Sequence, residues 1–343
     1  MKTDATIHDV ARWADVSIAT VSRVINNKSV VKFETKQIVE RAMKELKYHP
    51  NSMARCFVSQ KTSRVALIVD IDNPSAFDNP FFQQVQFGIE KVLAKKGYSL
   101  SIYNKSAHDK GLIERLAFEK KADGILLYSL MLDNKFLGSL KKSGLPFVCI
   151  GETLEKYKVD WVDVDNYKAG ELAVEHLSEN KYKKILVTEI NSKDVFNIRR
   201  IEGIKNVLKN KEIKAKFIDL THDNFRDAYE KILNALEEDE ELDAVLTLSN
   251  HHALAAQRVA TKTEFLMGRE FAIITFDSYP VVELSMPRLT TVDVDVLALG
   301  SEVARALLQK MENQEENLLN LKIIPKLCVR ESTVKKEEQE CLF

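Results

Sequence analysis

The chain has 343 residues, 45% of them hydrophobic and 29% charged, with a formal net charge of −1. That length allows two or three domains with their own cores, and the mix excludes a disordered or fibrous chain. No run of about 18 apolar residues offers a membrane span. The opening MKTDATIHDVARWADVS has no apolar segment before a small-residue cleavage site, so a cytoplasmic protein is expected. Cys56, Cys149, Cys328 and Cys341 are scattered, with no CxxC pair, which reads as reduced thiols without a disulfide framework or a zinc site. The near-neutral total hides an asymmetry. Residues 1–64 carry twelve Lys and Arg against six Asp and Glu, and the remainder carries 38 against 45. A basic N-terminal piece on an acidic body predicts an anionic partner for that piece.

The first predicted element is a helix that Thr6 caps, with Asp9 in its first turn and Ile7, Val10, Ala11 and Ala14 at helical spacing. Asp15-Val16-Ser17 breaks the pattern, and Ser17 can cap a second helix running to about Asn26. Val21, Val24 and Ile25 form its inner face, which turns Ile18, Ala19, Ser22 and Arg23 outward. A third helix, about Glu34 to Lys47, points Ile38, Val39, Ala42, Met43 and Leu46 inward. Two short helices joined by a three-residue turn and braced by a third make a helix-turn-helix. Its second helix has the small side chains that close approach to a DNA major groove demands. Hydroxyls of Ser17, Thr20 and Ser22 can bond phosphates or bases, Ile18 and Ala19 can touch a thymine methyl, and Arg23 can grip guanine bidentately. A three-helix bundle with an inert polar face is the competing reading, and the basic excess weighs against it.

In YHPNSMARCFVSQKTS, residues 48–63, Pro50 ends the preceding segment and Asn51 can cap two helical turns over Ser52–Val58. So short a helix is marginal alone. Met53, Ala54 and Phe57 give it an apolar edge for a partner, and a plain linker is the alternative.

From Arg64 the chain alternates apolar runs (RVALIVD, YSLSIY, DGILLYS, PFVCIG, KKILVTE, AKFIDL, DAVLTLS, FAIITFD) with amphipathic stretches such as Phe82–Lys96 and Ala169–Glu179. This alternation predicts parallel sheets with helical crossovers. About eleven such units exceed one sheet, so two lobes with a ligand at the strand C-terminal ends are expected.

TIHDVARWADVSIATVSRVINN, followed by YHPNSMAR, resembles the LacI/GalR family of bacterial transcription regulators, and the likeness runs to about Arg330. It implies a helical head over 1–48, a hinge helix over 49–62 and an effector-binding, dimerising body over 63–343. The body's two α/β lobes, like those of periplasmic binding proteins, would be about 63–163 plus 293–325, and 164–292. Thr6, Arg12, Ser17, Ile18, Ala19, Thr20, Ser22, Arg23 and Asn26 are the implied DNA contacts of the head. The hinge adds Asn51, Ala54, Arg55 and Phe57, the last standing where the family wedges a leucine into the minor groove.

The longer loop DIDNPSAFD resembles that of a maltose-regulator-like subgroup. The resemblance places Phe81 and Phe82 at the cleft mouth, with helix-start core packing as the alternative. Asp165, Arg200, Phe225 and Asp277 are the implied ligand-facing residues, although an aspartate at a strand end is also an ordinary helix cap. Arg199 reads as a surface charge beside Arg200. SNHHALAAQ departs from the family's Asp-x-x-Ala-x-Gly, and Asn250 there brings a donor where a charged acceptor was. The implied partners are a pseudo-palindromic double-stranded operator, a sugar-like effector and a second copy of the chain, with no cofactor and no membrane. An enzyme is disfavoured. His251 and His252 are adjacent on a helix and point about 100° apart, and no nucleophile elbow or phosphate loop is present. A secreted sugar-binding protein would lack the DNA-reading head. A regulator answering a protein corepressor or a non-sugar metabolite remains the other alternative.

Overall fold

The computed structural model describes residues 5–25, 31–48, 61–70, 80–105, 111–190, 194–220, 224–263, 271–312 and 319–334. The chain divides into two units, Met1–Ser63 and Arg64–Phe343. Among the described residues no helix is long and apolar enough to cross a membrane.

The first unit begins with a reciprocal cap. The Thr6 hydroxyl accepts from the Asp9 N–H, and the Asp9 carboxylate accepts from the Thr6 N–H at 2.9 Å, satisfying donors that a helix start leaves open. Helix α1 (Ile7–Trp13) ends at Asp15, whose φ of +52° turns the chain. Ser17 then starts α2 (Ile18–Ile25), its Oγ accepting from the Thr20 N–H at 3.1 Å. The third helix, α3 (Phe33–Glu45), completes a core of Val10, Ala11, Ala14, Val21, Val24, Val39 and Ala42. Ile38 departs from the sequence reading and is 47% exposed. It lies about 100° round the helix from Val39, outside the stripe that Val39, Ala42, Met43 and Leu46 turn to that core.

The second unit opens with β1 (Arg64–Val69), α4 (Pro80–Lys95), β2 (Ser99–Asn104), α5 (Leu112–Phe118), β3 (Gly124–Tyr128), α6 (Asn134–Ser143), β4 (Phe147–Ile150) and β5 (Trp161–Val164). It continues through α7 (Asn166–Glu179), β6 (Lys184–Ile190), α8 (Val195–Asn210), β7 (Lys214–Leu220), α9 (Phe225–Glu238), β8 (Ala244–Leu246), α10 (Asn250–Lys262), β9 (Ala272–Phe276), α11 (Pro280–Glu283) and β10 (Thr290–Asp293). A long helix, α12 (Val296–Glu312), precedes β11 (Asn320–Ile323) and β12 (Lys326–Cys328).

These strands form two six-stranded sheets, β2-β1-β3-β4-β5-β11 and β7-β6-β8-β9-β10-β12. The chain therefore passes between lobes after β5, after β10 and after β11. β12 runs antiparallel to β10, with Val292 opposite Leu327, while the neighbours within the rest of both sheets are parallel. The last five residues of β1 and all five of β9 are buried, as expected of strands covered on both faces.

Each lobe has a helix pair whose backbones touch. A Cβ on Gly300 of α12 would stand 2.2 Å from the Val85 carbonyl oxygen on α4, and one on Gly203 of α8 would stand 2.0 Å from that of Tyr167 on α7. Only glycine allows such an approach. The C-terminal segment is stitched to the second lobe through buried Ser332 and Thr333, whose hydroxyls meet Ile273 O at 2.5 Å and His176 Nε2 at 2.8 Å.

Candidate functional sites

On the first unit, burying Val21 and Val24 fixes which way α2 faces. Ser17, Ile18, Ala19 and Arg23 are exposed and Thr20 and Ser22 half-exposed, so this face shows hydroxyls, methyl-bearing groups and one guanidinium. The Ser17 and Thr20 hydroxyls are 2.9 Å apart. Thr6 is exposed as well, and Arg12 stands clear of the surface with a loose 3.7 Å contact to Asp9. Asn26, Asn51, Ala54, Arg55 and Phe57 lie outside the described residues, as do most of the DIDNPSAFD loop and the C-terminal residues from 335.

On the second unit, the polar centre lies where α8 crosses α7. Arg200 sits three residues before Gly203 and so on the same helix face, turned toward α7 by the glycine contact. It is 6% exposed. Its Nε donates to Asn166 Oδ1 at 3.0 Å, one Nη is 3.5 Å from Asp277 Oδ1, and its plane lies 4.4 Å from the centre of the Phe276 ring. Asn166 Nδ2 donates in turn to Asp163 Oδ2 at 3.2 Å. Burial pushes the Asp163 carboxyl up to about 6, against the backbone N–H groups of Glu152 and Val164 that bond it. Asp277 is also raised by burial, with the Arg200 charge pulling the other way, and its φ is +67°.

Asn250 joins this centre from the start of α10. Its Nδ2 donates to the Phe276 and Asp277 carbonyls at 2.7 and 3.2 Å. From sequence Asn250 reads as an added donor, and the structure corrects this. Its donor is consumed internally and its Oδ1, which accepts no hydrogen bond among the described residues, is the group left over. Asn250 thus presents an uncharged acceptor at the position where the resemblance implies a carboxylate.

The other candidates separate. Asp165 caps α7, its Oδ1 accepting from the Lys168 N–H at 3.1 Å, and it stands 3.8 Å from Lys322. Phe82 is 5% exposed and belongs to the first lobe's core, stacked on Tyr128 at 5.5 Å. Phe81 is half-buried, its ring tilted against Tyr128 at 6.4 Å. Phe225 is 42% exposed at the start of α9 and stacks on Tyr229. Arg199 needs correction. Far from a free surface charge, it reaches Glu152 of the other lobe and Glu202 of its own helix. Sequence reasoning missed Glu152, Asp163 and Asn166; the signal for Asp163 was an acidic residue inside the apolar run WVDV.

Residues 63–331 match the family described as periplasmic binding proteins and sugar binding domain of the LacI family, and residues 6–51 match bacterial regulatory proteins of the lacI family. The transcriptional regulator CelR of Thermobifida fusca is 30% identical over 335 residues, covering 95% of this chain and 98% of that one. MalR of Streptococcus pneumoniae is 29% identical over 324 residues, covering 91% and 94%. Among solved structures, a CelR–cellobiose complex superposes with a TM-score of 0.70 at 28% identity, covering 96% of this chain and 99% of that one. A Lac repressor dimer bound to operator and an anti-inducer shares the fold with a TM-score of 0.81 at 22% identity, covering 97% and 100%. The chain belongs to the LacI family of bacterial regulatory proteins and is a DNA-binding transcription regulator.

Proposed function

We propose that the protein is a homodimeric repressor of carbohydrate-utilisation genes, released from or fixed to its operator by a small sugar or sugar derivative held between the two lobes. The observation that carries this reading is the pairing of a small-residue, arginine-bearing helix face with a buried Arg200 set among acceptors. In it, residues 1–48 read DNA, 49–62 form the hinge, and 63–343 bind effector and partner copy. Arg23 reads a base while Thr6, Arg12, Ser17, Thr20 and Ser22 position the head on phosphates; Ile18 and Ala19 line the groove. Asn26, Asn51, Ala54, Arg55 and Phe57 complete the DNA contacts. Arg200, Asp277 and Asn250 hold ligand hydroxyls, Phe225 stacks on the ring, and Phe81 borders the site. Asp165 and Phe82 act by fixing α7 and Phe81.

The first test is thermal stability against cellobiose, maltose, ribose, sugar phosphates and sugar acids. A ligand that binds the native state raises the melting temperature by mass action. One strong hit that also changes operator affinity supports the reading, and silence across the panel shifts it to a protein or non-sugar signal. On the DNA side, Arg23→Ala costs about 1–3 kcal/mol at one operator base and relaxes selectivity there. Equal weakening on every sequence in a competition assay would remove Arg23 from base reading.

A further inference from the structure

One contact between the lobes combines burial, charge and directionality. Glu152, two residues past β4 in the first lobe, is 7% exposed. Its Oε1 accepts from both Nε and Nη2 of Arg199 on α8 of the second lobe, at 2.9 and 2.7 Å. Lys322 on β11 stands 3.7 Å from Oε2, and Glu202 accepts from the remaining arm of Arg199 at 2.9 Å. Two donors on one buried carboxylate make a bond that tolerates little rotation, and losing Arg199 leaves this buried carboxylate, among the described residues, only its 3.7 Å contact with Lys322. The pair therefore favours one arrangement of the lobes over its alternatives.

The same pair is tied to the ligand centre. The Glu152 N–H donates to Asp163 Oδ2 at 2.8 Å; Asp163 accepts from Asn166, and Asn166 from Arg200. In this structure Asn250 Oδ1 and Asp277 Oδ1 are shut away from solvent. Neither accepts a hydrogen bond among the described residues, and Asp277 Oδ1 has only its 3.5 Å ion pair with Arg200. Ligand hydroxyls reach these two acceptors only if the surroundings open.

We propose that Glu152 and Arg199 form an ionic latch between the lobes that keeps the effector site shut, so that ligand entry competes with the latch. This rests on the reading of the Arg200 centre as the effector site. An interaction made in one arrangement alone shifts the population toward it, so loosening the latch favours the open form and the ligand.

The test is amide hydrogen exchange of the full, ligand-free chain as wild type, Glu152→Gln and Arg199→Gln. Both variants are expected to exchange about tenfold faster over 150–154 and 196–203, and also over 276–279, which neither side chain touches, while 244–246 keeps its protection. Acceleration confined to the neighbours of each substitution overturns the latch, since an ordinary bridge loosens only its own surroundings. Calorimetric titration with cellobiose and maltose is the second measurement. Several-fold tighter binding to both variants supports the latch, and equal or weaker binding overturns it. No heat from either sugar with any of the three proteins counts against the effector reading, while the exchange result still decides whether the lobes are latched.

Discussion

Sheets β2-β1-β3-β4-β5-β11 and β7-β6-β8-β9-β10-β12 follow the same strand order, and each lies beside a helix pair closed by glycines, Gly88 with Gly300 and Gly170 with Gly203. The residues at the strand ends differ. In the first lobe, Tyr128 at the end of β3 packs against Phe81 and Phe82. In the second, Asp277 after β9 meets Arg200 and Asn250. A shared scaffold thus brings an aromatic surface and a polar, hydrogen-bonding surface to the strand ends. In the proposed reading, function lies in those few residues and not in the sheets.

The glycine pairs offer the sharpest way to break this comparison. Gly203→Ala and Gly300→Ala each push a methyl against a backbone carbonyl, 2.0 and 2.2 Å away, where no side chain can yield. Each is expected to lose about 3 kcal/mol in denaturant melts, as overpacking between rigid backbones does. Their functional effects should part. Gly203→Ala moves Arg200 away from Asn166 and Asp277 and abolishes the ligand response, whereas Gly300→Ala leaves the response of the folded fraction intact. Equal loss of response in both would mean that the lobes do not divide the work.

Arg200→Ala tests the polar lobe directly. It leaves Asp277 without its counter-charge and Asn166 Oδ1 without its donor. Breaking a buried pair from one side costs about 3 kcal/mol, the low end of the usual range because the pair is 3.5 Å apart. Operator binding by the folded protein should persist without effector control. An unchanged melting temperature and ligand response would remove Arg200 from both roles.

How much of this was legible depends on run length and on reach. Strands of five to seven residues such as RVALIV and KILVTEI announce themselves as apolar runs. β5, β10, β11 and β12 have three or four residues and polar positions inside them, too short to show a period. The choice between Arg199 and Arg200 depends on which face Gly203 presses against α7, and the glycine four residues after Arg199 gives no notice of Glu152. Asn250 misleads in sequence because the carbonyls that occupy its amide belong to Phe276 and Asp277, some 26 residues on. Pairings of that range are products of the fold. The cap at Thr6 with Asp9 in the first turn is local and was legible, while the return bond from the Thr6 N–H to Asp9 emerged from the structure.

Asp163 sharpens the comparison through pH. Burial raises its carboxyl from 3.8 to about 6, so the fold favours the protonated form. The resulting penalty is absent at low pH, grows as pH rises from about 4, and is complete above about pH 6, where it reaches about 3 kcal/mol. Asp163→Asn removes this titration but points an amide at one of the N–H donors of Glu152, Val164 or Asn166. The variant is therefore expected to be less stable than wild type at pH 5, with the gap narrowing by roughly 1–2 kcal/mol by pH 7. A gap that holds constant across urea melts at the two pH values would show that Asp163 keeps an ordinary carboxyl.

The smallest effect is expected on the aromatic side, at Tyr128. Its hydroxyl is buried, accepts and donates nothing among the described residues, and burial alone pushes the phenol upward. A buried hydroxyl without a partner opposes folding, because its hydration is lost and nothing replaces it. Tyr128→Phe keeps the ring that stacks on Phe82 at 5.5 Å and discards only the oxygen. It should leave stability unchanged or raise it by up to about 1 kcal/mol, the reverse of what removing a polar group from the Arg200 centre does. If ligand binding weakens in that variant while stability rises, the hydroxyl is held in reserve for the effector, and the first lobe contributes polar recognition as well as packing. If both stay level, its part in the site is the aromatic surface alone.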